Sequence, residues 1–377
     1  MSNLANKKKD SNNRIIFISP DINSGGSENI LFNLAKTKSK KDILLISLTD
    51  VGYYGSILRK KGYKIYALNM KKNFFLIHKI LYLLIIIIRF KPRIVHTWLY
   101  HANLIGGIAA KLVGVKKIYW TIHHDFEYRN FYMMLEMRIL VFLSYIIPDK
   151  IIYGSNPVKK NHILNGYLKE KSIVIENGVS TRKFKGNIEL RDSIRKDLNI
   201  TKQCLLLGNI ARYNPLKDHE TLLKALKILK TKGINFKCIL IGQGLSNKNR
   251  EFKIEVKKYR LEDKLILYGK TYEINKIINA FDINILTSKK ECSPISLLEA
   301  MSTGIPCIST NVGNTMELIG DSGWVVNTAD YKSIAKLIMD IYLDKNILKI
   351  KSNIARKRIE DFYTIEKMIN KYKKLYI

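Results

Sequence analysis

The stretch "INILTSKKECSPISLLEAMSTGIPCIST", residues 283 to 310, reads as a strand, a loop, a helix and a second strand. "INILTS" and "PCIST" are short apolar, β-rich runs, and "ISLLEAMS" carries a helical pattern between them. Pro294 suits the first position of that helix, Gly304 ends it, and Pro306 prevents its continuation. Strands alternating with helices are the mark of α/β architecture built on parallel sheets.

The alternation extends in both directions. Upstream, "CLLLGNI" (204–210), "FKCILIG" (236–242) and "KLILYG" (264–269) are strands, and "GWVVN" (323–327) follows downstream. Before "GVSTRKFKGN" lies a similar half, with strands at "RIIFISP" (14–20), "DILLISL" (42–48), "YKIYAL" (63–68), "RIVHTWL" (93–99), "KKIYWTI" (116–122), "DKIIYGS" (149–155) and "SIVIEN" (172–177). A chain of 377 residues fits two domains at roughly 100–200 residues each. The expected division is a disordered polar tail at 1–13, a first domain at 14–185, a second at 186–343, and helices at 344–377 that pack back toward the first domain. That last segment holds 10 Lys or Arg against 4 Asp or Glu on an i, i+3/i+4 apolar pattern.

The formal charge of +33 predicts attraction to polyanions or anionic lipid without naming one. Lys and Ile abound along the whole chain and no block concentrates the charge, so compositional bias and solubility are its first explanation, ahead of membrane or nucleic-acid attraction. A nucleic-acid-binding reading finds no basic runs interleaved with aromatics, no helix-turn-helix and no C-x2-C finger. The four cysteines form no C-x-x-C pair and read as reduced, cytosolic core residues. "IIFI" is too short for a secretory segment. "ILYLLIIII" (80–88) cannot span a bilayer core of about 30 Å, which takes about 20 helical residues, and is expected to be a buried helix.

Ligands of open parallel sheets bind beyond the carboxyl ends of the strands. In "SPDINSGGSENILFNLA", Gly25 and Gly26 lie between a strand and a helix capped by Ser27, which suits either an anion at the helix start or a plain turn. It is neither a dinucleotide fingerprint nor a P-loop. In "GNIARYNPLKDHETLLKA", Arg212 and Lys217 precede a helix starting near Asp218 and suit a diphosphate, each attraction worth about 4 kcal/mol at about 4 Å and an effective dielectric near 20. In the first-quoted stretch, Glu291 lies in the loop and Glu299 about a turn and a half into the helix. The amides of Ile295 and Ser296 favour phosphate, whereas carboxylates repel it. Glu291 and Glu299 therefore suit hydroxyl groups, such as those flanking the diphosphate of a sugar nucleotide, unless they are simply a solvated loop charge and a surface helix residue.

Among the histidines, His96 and His101 fall in "VHTWLYHANLIGG", and His123 and His124 in "YWTIHHDFEYRNFYMM". A pair in a strand-end loop suits contact with a substrate hydroxyl, and no zinc spacing is present. There is also no Asp-x-Asp to hold a divalent ion on a diphosphate.

Glu-x7-Glu in "ECSPISLLEAM", with "ARYNPLKDHETLLKA", "ENGVS" and "GGSENILFNLA", resembles the GT4 family of retaining glycosyltransferases along nearly the whole chain. The resemblance implies the GT-B fold, two facing Rossmann-like domains with parallel sheets and a deep interdomain cleft, and no metal or other cofactor. "HTWLYHANLIGGIAAKLVGV" and "MSTGIPCISTNVGNTMELIGDSGWVV" look most like bacterial members that build capsule, O-antigen or other surface glycans. It further implies that Arg212 and Lys217 bind the donor diphosphate, Glu299 the ribose, and Glu291 the transferred sugar. The backbone from Ser293 through Pro294 and Ile295 to Ser296 would meet the phosphates, and Gly25 and Gly26 would lie near the reacting centre. His123 is the first choice for a catalytic histidine, with His124 and His101 on the acceptor side.

The chain departs from the family's frequent Glu-Gly-Phe with Glu291-Cys292-Ser293, which leaves the donor sugar and base open. The implied activity moves a hexose or N-acetylhexosamine, from a UDP-sugar in the first instance, to a lipid-linked oligosaccharide, lipopolysaccharide or capsule acceptor. A GT-B sugar-nucleotide epimerase is the enzymatic rival. An acceptor-side segment with Tyr128, Phe131, Tyr132, Met133 and Met134, together with Lys71, Lys72 and Lys79, is expected either to rest on the anionic cytoplasmic leaflet or to be helix core. Nucleic acid is not an expected partner.

Overall fold

A computed structural model of the chain describes residues 14–70, 76–126 and 131–377. The tail at 1–13, Lys71, Lys72 and Tyr128 lie outside the described residues. Every strand expected from the sequence forms. The first sheet contains β1 (Ile15–Ser19), β2 (Ile43–Ser47), β3 (Lys64–Ala67), β4 (Ile94–Trp98), β5 (Lys117–Ile122), β6 (Lys150–Tyr153) and β7 (Ser172–Val174), in the order β3-β2-β1-β4-β5-β6-β7. The second contains β8 (Leu205–Ile210), β9 (Phe236–Ile241), β10 (Leu265–Gly269), β11 (Ile283–Leu286), β12 (Cys307–Thr310) and β13 (Trp324–Val326), in the order β10-β9-β8-β11-β12-β13. All pairings are parallel. Central strands such as "IIFIS" and "INIL" are buried at every residue, because helices cover both faces of a parallel sheet.

Each sheet reverses its order once, between β1 and β4 and between β8 and β11. These two switch points, at the carboxyl ends of the strands, are where such folds bind ligands. The helices that bear on function are α1 (Gly26–Ala35), α2 (Leu76–Phe90), α3 (Leu99–Leu112), α4 (Phe131–Ile146), α5 (His219–Thr231), α6 (Ile295–Ser302), α7 (Asn346–Phe362) and α8 (Ile365–Leu375).

The compact units divide at Glu176/Asn177 rather than near 185, and Ile369–Ile377 belongs to the first unit. The residues after 176 are bound into the second unit. Asn177 Nδ2 donates to Ser293 O at 2.9 Å, Ser302 Oγ to Phe184 O at 2.8 Å, and Arg356 of α7 to the same Phe184 carbonyl at 2.9 Å. In the first unit, the end of α8 buries Tyr372 and Tyr376 against the sheet. Tyr376 Oη lies 2.7 Å from His96 Nδ1, and Thr121 Oγ1 lies 2.6 Å from Nε2. His96 is thus a satisfied core group, and burial lowers its pKa to about 3.

Three local expectations are corrected. "ILYLLIIII" is not buried all round: Leu83, Ile86 and Ile87 face the core, while Ile77 and Ile88 of the same helix are 70% and 53% exposed. Ser27 does not cap α1, whose N-cap is Gly25 with no side-chain bond. Pro294 is the N-cap of α6 rather than its first residue, because its ψ of 114° is extended. No helix among the described residues is long and apolar enough to cross a membrane. All four cysteines are buried, and none is in a disulfide.

Candidate active site

At the β8/β11 switch point, two loops are tied together. Lys289 N donates to Leu216 O at 2.8 Å, and Thr287 Oγ1 to Lys217 O at 3.2 Å. Asn214 shapes the first loop by accepting from Leu216 N, which closes a turn over Pro215–Lys217. Asp218 then takes a left-handed conformation (φ 48°) and caps α5 through Thr221. This geometry delivers Lys217 Nζ to Glu291 Oε1 at 2.5 Å, and Ser288 Oγ donates to the same oxygen at 2.7 Å. The cation and the carboxylate expected to act separately are therefore one charge-assisted pair. Arg212 stands exposed at the end of β8.

The start of α6 follows at once. Leu297 N is satisfied by Pro294 O, and no side chain caps the helix. The amides of Ile295 and Ser296 are then the unclaimed donors of a helix start, with the positive end of the helix dipole behind them. Ser293 is buried, and its carbonyl is held by Asn177. Glu299, in the second turn, is 8% exposed, and its carboxyl has no hydrogen-bond partner among the described residues. Burial raises its pKa to about 7 against a smaller attraction from Lys183. A buried carboxyl without a hydrogen-bond partner costs stability, and ligand hydroxyls are one kind of group that would offset that cost.

In the first unit, Gly25 is extended (φ −132°). A side chain there would collide with the Glu28 carboxyl, which folds over the loop. Gly26 opens α1. His123, just beyond β5, stacks on Trp98 at 5.5 Å and 17°, and Trp98 stacks in turn on His96. The His123 ring is partly exposed, but its Nε2 is buried and has no partner. Burial lowers its pKa to about 3, with His124 adding to the effect, so the ring is neutral and too weak a base to hold a proton at neutral pH. His124 is exposed. His101 lies in the first turn of α3, and its Nδ1 is 2.5 Å from Glu136 of α4, which raises its pKa. Leu99, next to Trp98, has a φ of 68°, a strained value for a bulky residue at the β1/β4 switch point.

Several supporting side chains were not singled out by the sequence. Ser288 fixes Glu291, Trp98 orients His123, and Asn177 holds the Ser293 carbonyl. Asn314 donates its amide N–H to Cys292 O at 3.3 Å, and its buried side-chain amide has no partner. Asn177 and Asn314 fall inside the quoted motifs "ENGVS" and "NVGNTMELI", which was the available signal. Among the described residues, no cluster of His, Cys, Asp and Glu could hold a metal ion.

Gly313 has a φ of 56°, and a Cβ there would clash with the carbonyl oxygens of Cys292 and Glu291. A Gly313→Ala variant is expected to lose about 1–3 kcal/mol of stability and to weaken donor binding by displacing the Glu291 loop. Chemical denaturation and a nucleotide titration on the same variant check both effects.

Residues 24–183 match the family model described as Glycosyltransferase Family 4, and residues 191–358 match that of Glycosyl transferases group 1. A UDP-Gal:alpha-D-GlcNAc-diphosphoundecaprenol alpha-1,3-galactosyltransferase of Escherichia coli is 28% identical over 294 residues, 76% of each chain. The capsular polysaccharide biosynthesis glycosyltransferase CapM of Staphylococcus aureus is 25% identical over 79% of this chain and 81% of its own. Anabaena Alr3699/HepE, solved with UDP and glucose, superposes with a TM-score of 0.86 at 19% identity, covering 96% of this chain and 98% of the other. Its two Rossmann-like units therefore have the GT-B fold, and the chain belongs to the family 4 glycosyltransferases.

Proposed function

We propose that this glycosyltransferase moves a hexose or N-acetylhexosamine from a UDP-sugar, with retention of anomeric configuration, to a lipid-linked oligosaccharide or lipopolysaccharide acceptor in the synthesis of a bacterial surface glycan. The observation that carries the donor half is Glu299, a buried and unpartnered carboxyl one and a half turns from an uncapped helix start. The helix start suits the diphosphate and the carboxyl suits the ribose. Lys217 and Arg212 balance the phosphate charge, and no metal is assigned. The relatives' printed activities support a surface-glycan role, and the UDP complexes of the Anabaena neighbour support the nucleotide.

On donor binding, Lys217 is placed to share its charge between Glu291 and a phosphate oxygen, while Glu291 keeps its second oxygen for a sugar hydroxyl. The acceptor hydroxyl attacks the anomeric carbon from the face that UDP leaves. The bond from that carbon to the phosphate oxygen breaks as the new glycosidic bond forms, and the acceptor proton passes to the departing phosphate oxygen. Catalysis then rests on positioning and charge stabilisation. His123, neutral and partly exposed beyond β5, serves as a contact for a substrate hydroxyl through the exposed part of its ring.

The test is product analysis with a UDP-sugar panel, with and without lipid-linked acceptor, in EDTA. UDP release that requires acceptor, with a product of the donor's own anomeric configuration, is expected. Conversion of the UDP-sugar without acceptor would instead identify an epimerase.

A further inference from the structure

The largest unexplained feature lies on the first unit, in α2, α3 and α4. Each helix buries one narrow stripe, such as Met137, Leu140 and Ser144 on α4, and turns a second apolar stripe outward. On α2 the outward stripe includes Ile77, Leu81 and Ile88. On α4 it includes Phe131, Tyr132 and Phe142, which are 67%, 81% and 65% exposed. Helix α3 packs against both, and its own Leu112 is exposed. Scattered exposed apolar side chains are ordinary, but successive turns of neighbouring helices carrying them are not.

Charge decides what covers this face. The three helices carry Lys79, Arg89, Lys111 and Arg138, and their single acid, Glu136, is tied to His101. Two copies of such a face would bring like charges together, whereas an anionic bilayer attracts them. The tyrosines beside the apolar stripes, Tyr132 and Tyr145, have the amphipathic rings that sit at the headgroup level. Since no described helix can span a bilayer, the helices must lie along its surface.

We infer that α2 and α4, with α3 between them, form a membrane-docking face whose apolar stripes enter the headgroup region of an anionic leaflet. The inference deepens the proposed lipid-linked acceptor, since it places the first unit on the surface where such an acceptor is held, but its test does not depend on that reading.

The test is co-sedimentation of the full chain with vesicles of phosphatidylglycerol and phosphatidylethanolamine, against pure phosphatidylcholine, at about 50 and about 500 mM salt. A Leu81→Glu/Ile88→Glu variant and a Phe142→Glu variant are compared with Leu343→Glu, which alters an 84% exposed side chain of the second unit. Expected is preferential binding to the anionic vesicles, weakened about ten-fold or more by either helix variant and unchanged by Leu343→Glu. Circular dichroism melts confirm that all three fold, and light scattering reports the oligomeric state. Vesicle binding that survives both helix variants overturns the inference. So does a dimer that the same substitutions dissolve, which would make the face an interface between two copies. UDP stabilisation is measured in parallel: vesicle binding without any UDP response would sink the donor reading and leave the docking face standing.

Discussion

A Glu299→Gln variant is expected to melt higher than the parent protein at pH 8 while binding UDP roughly ten- to a hundred-fold more weakly. The folded-state pKa of Glu299 is raised to about 7 by burial, above its ordinary value of 4.5. The native state therefore holds a proton that the unfolded chain has released. The stabilising contribution is complete below about pH 4.5 and is lost as the pH rises to 7. Above that, an ionised carboxyl is buried at a cost on the order of 3 kcal/mol. Glutamine removes this cost, so the advantage of the variant should grow between pH 5 and pH 8 and vanish near pH 4. The same substitution deprives ribose hydroxyls of a charged acceptor. Melting curves across that pH range, with and without UDP, measure both effects, and equal UDP affinity in the two proteins would remove Glu299 from the site.

The second large effect concerns the Lys217–Glu291 pair. Glu291→Gln and Lys217→Met are each expected to lower kcat/KM by roughly 10²–10³. Because the two groups lie 2.5 Å apart and Ser288 holds the same Glu291 oxygen, they act as one unit, and the double variant should fall little below the worse single one. A full cycle of kcat/KM values checks this. Losses that multiply would mean that the two side chains meet the substrate independently and that their contact is incidental.

The contrast between these two sites shows what the sequence could and could not reveal. The strands were legible because each is a short apolar, β-rich run, and α6 because Pro294 and Gly304 bracket it. Glu299 stood out as a carboxylate between Leu298 and Ala300. The Lys217–Glu291 pair was not legible, since 74 residues separate its members and only the sheet order sets β8 beside β11. The outward face of α2 was hidden for a different reason. In "ILYLLIIII" every position is apolar, so no 3.6-residue stripe distinguishes the covered side from the bare one. His123 was a candidate from its place after a strand and from the family resemblance, but its stacking on Trp98 depends on the neighbouring strand β4.

The central claim is that the second unit binds a nucleoside diphosphate at the β8/β11 switch point through Lys217, the α6 start and Glu299. Its most direct test is thermal stabilisation by UDP, GDP and their sugars, in EDTA, for the parent protein and Glu299→Ala. Stabilisation by UDP compounds of about 2.7 kcal/mol at about a hundred times Kd is expected, largely lost in the variant. No response to any nucleoside diphosphate in the parent protein, or an equal response in Glu299→Ala, would contradict it.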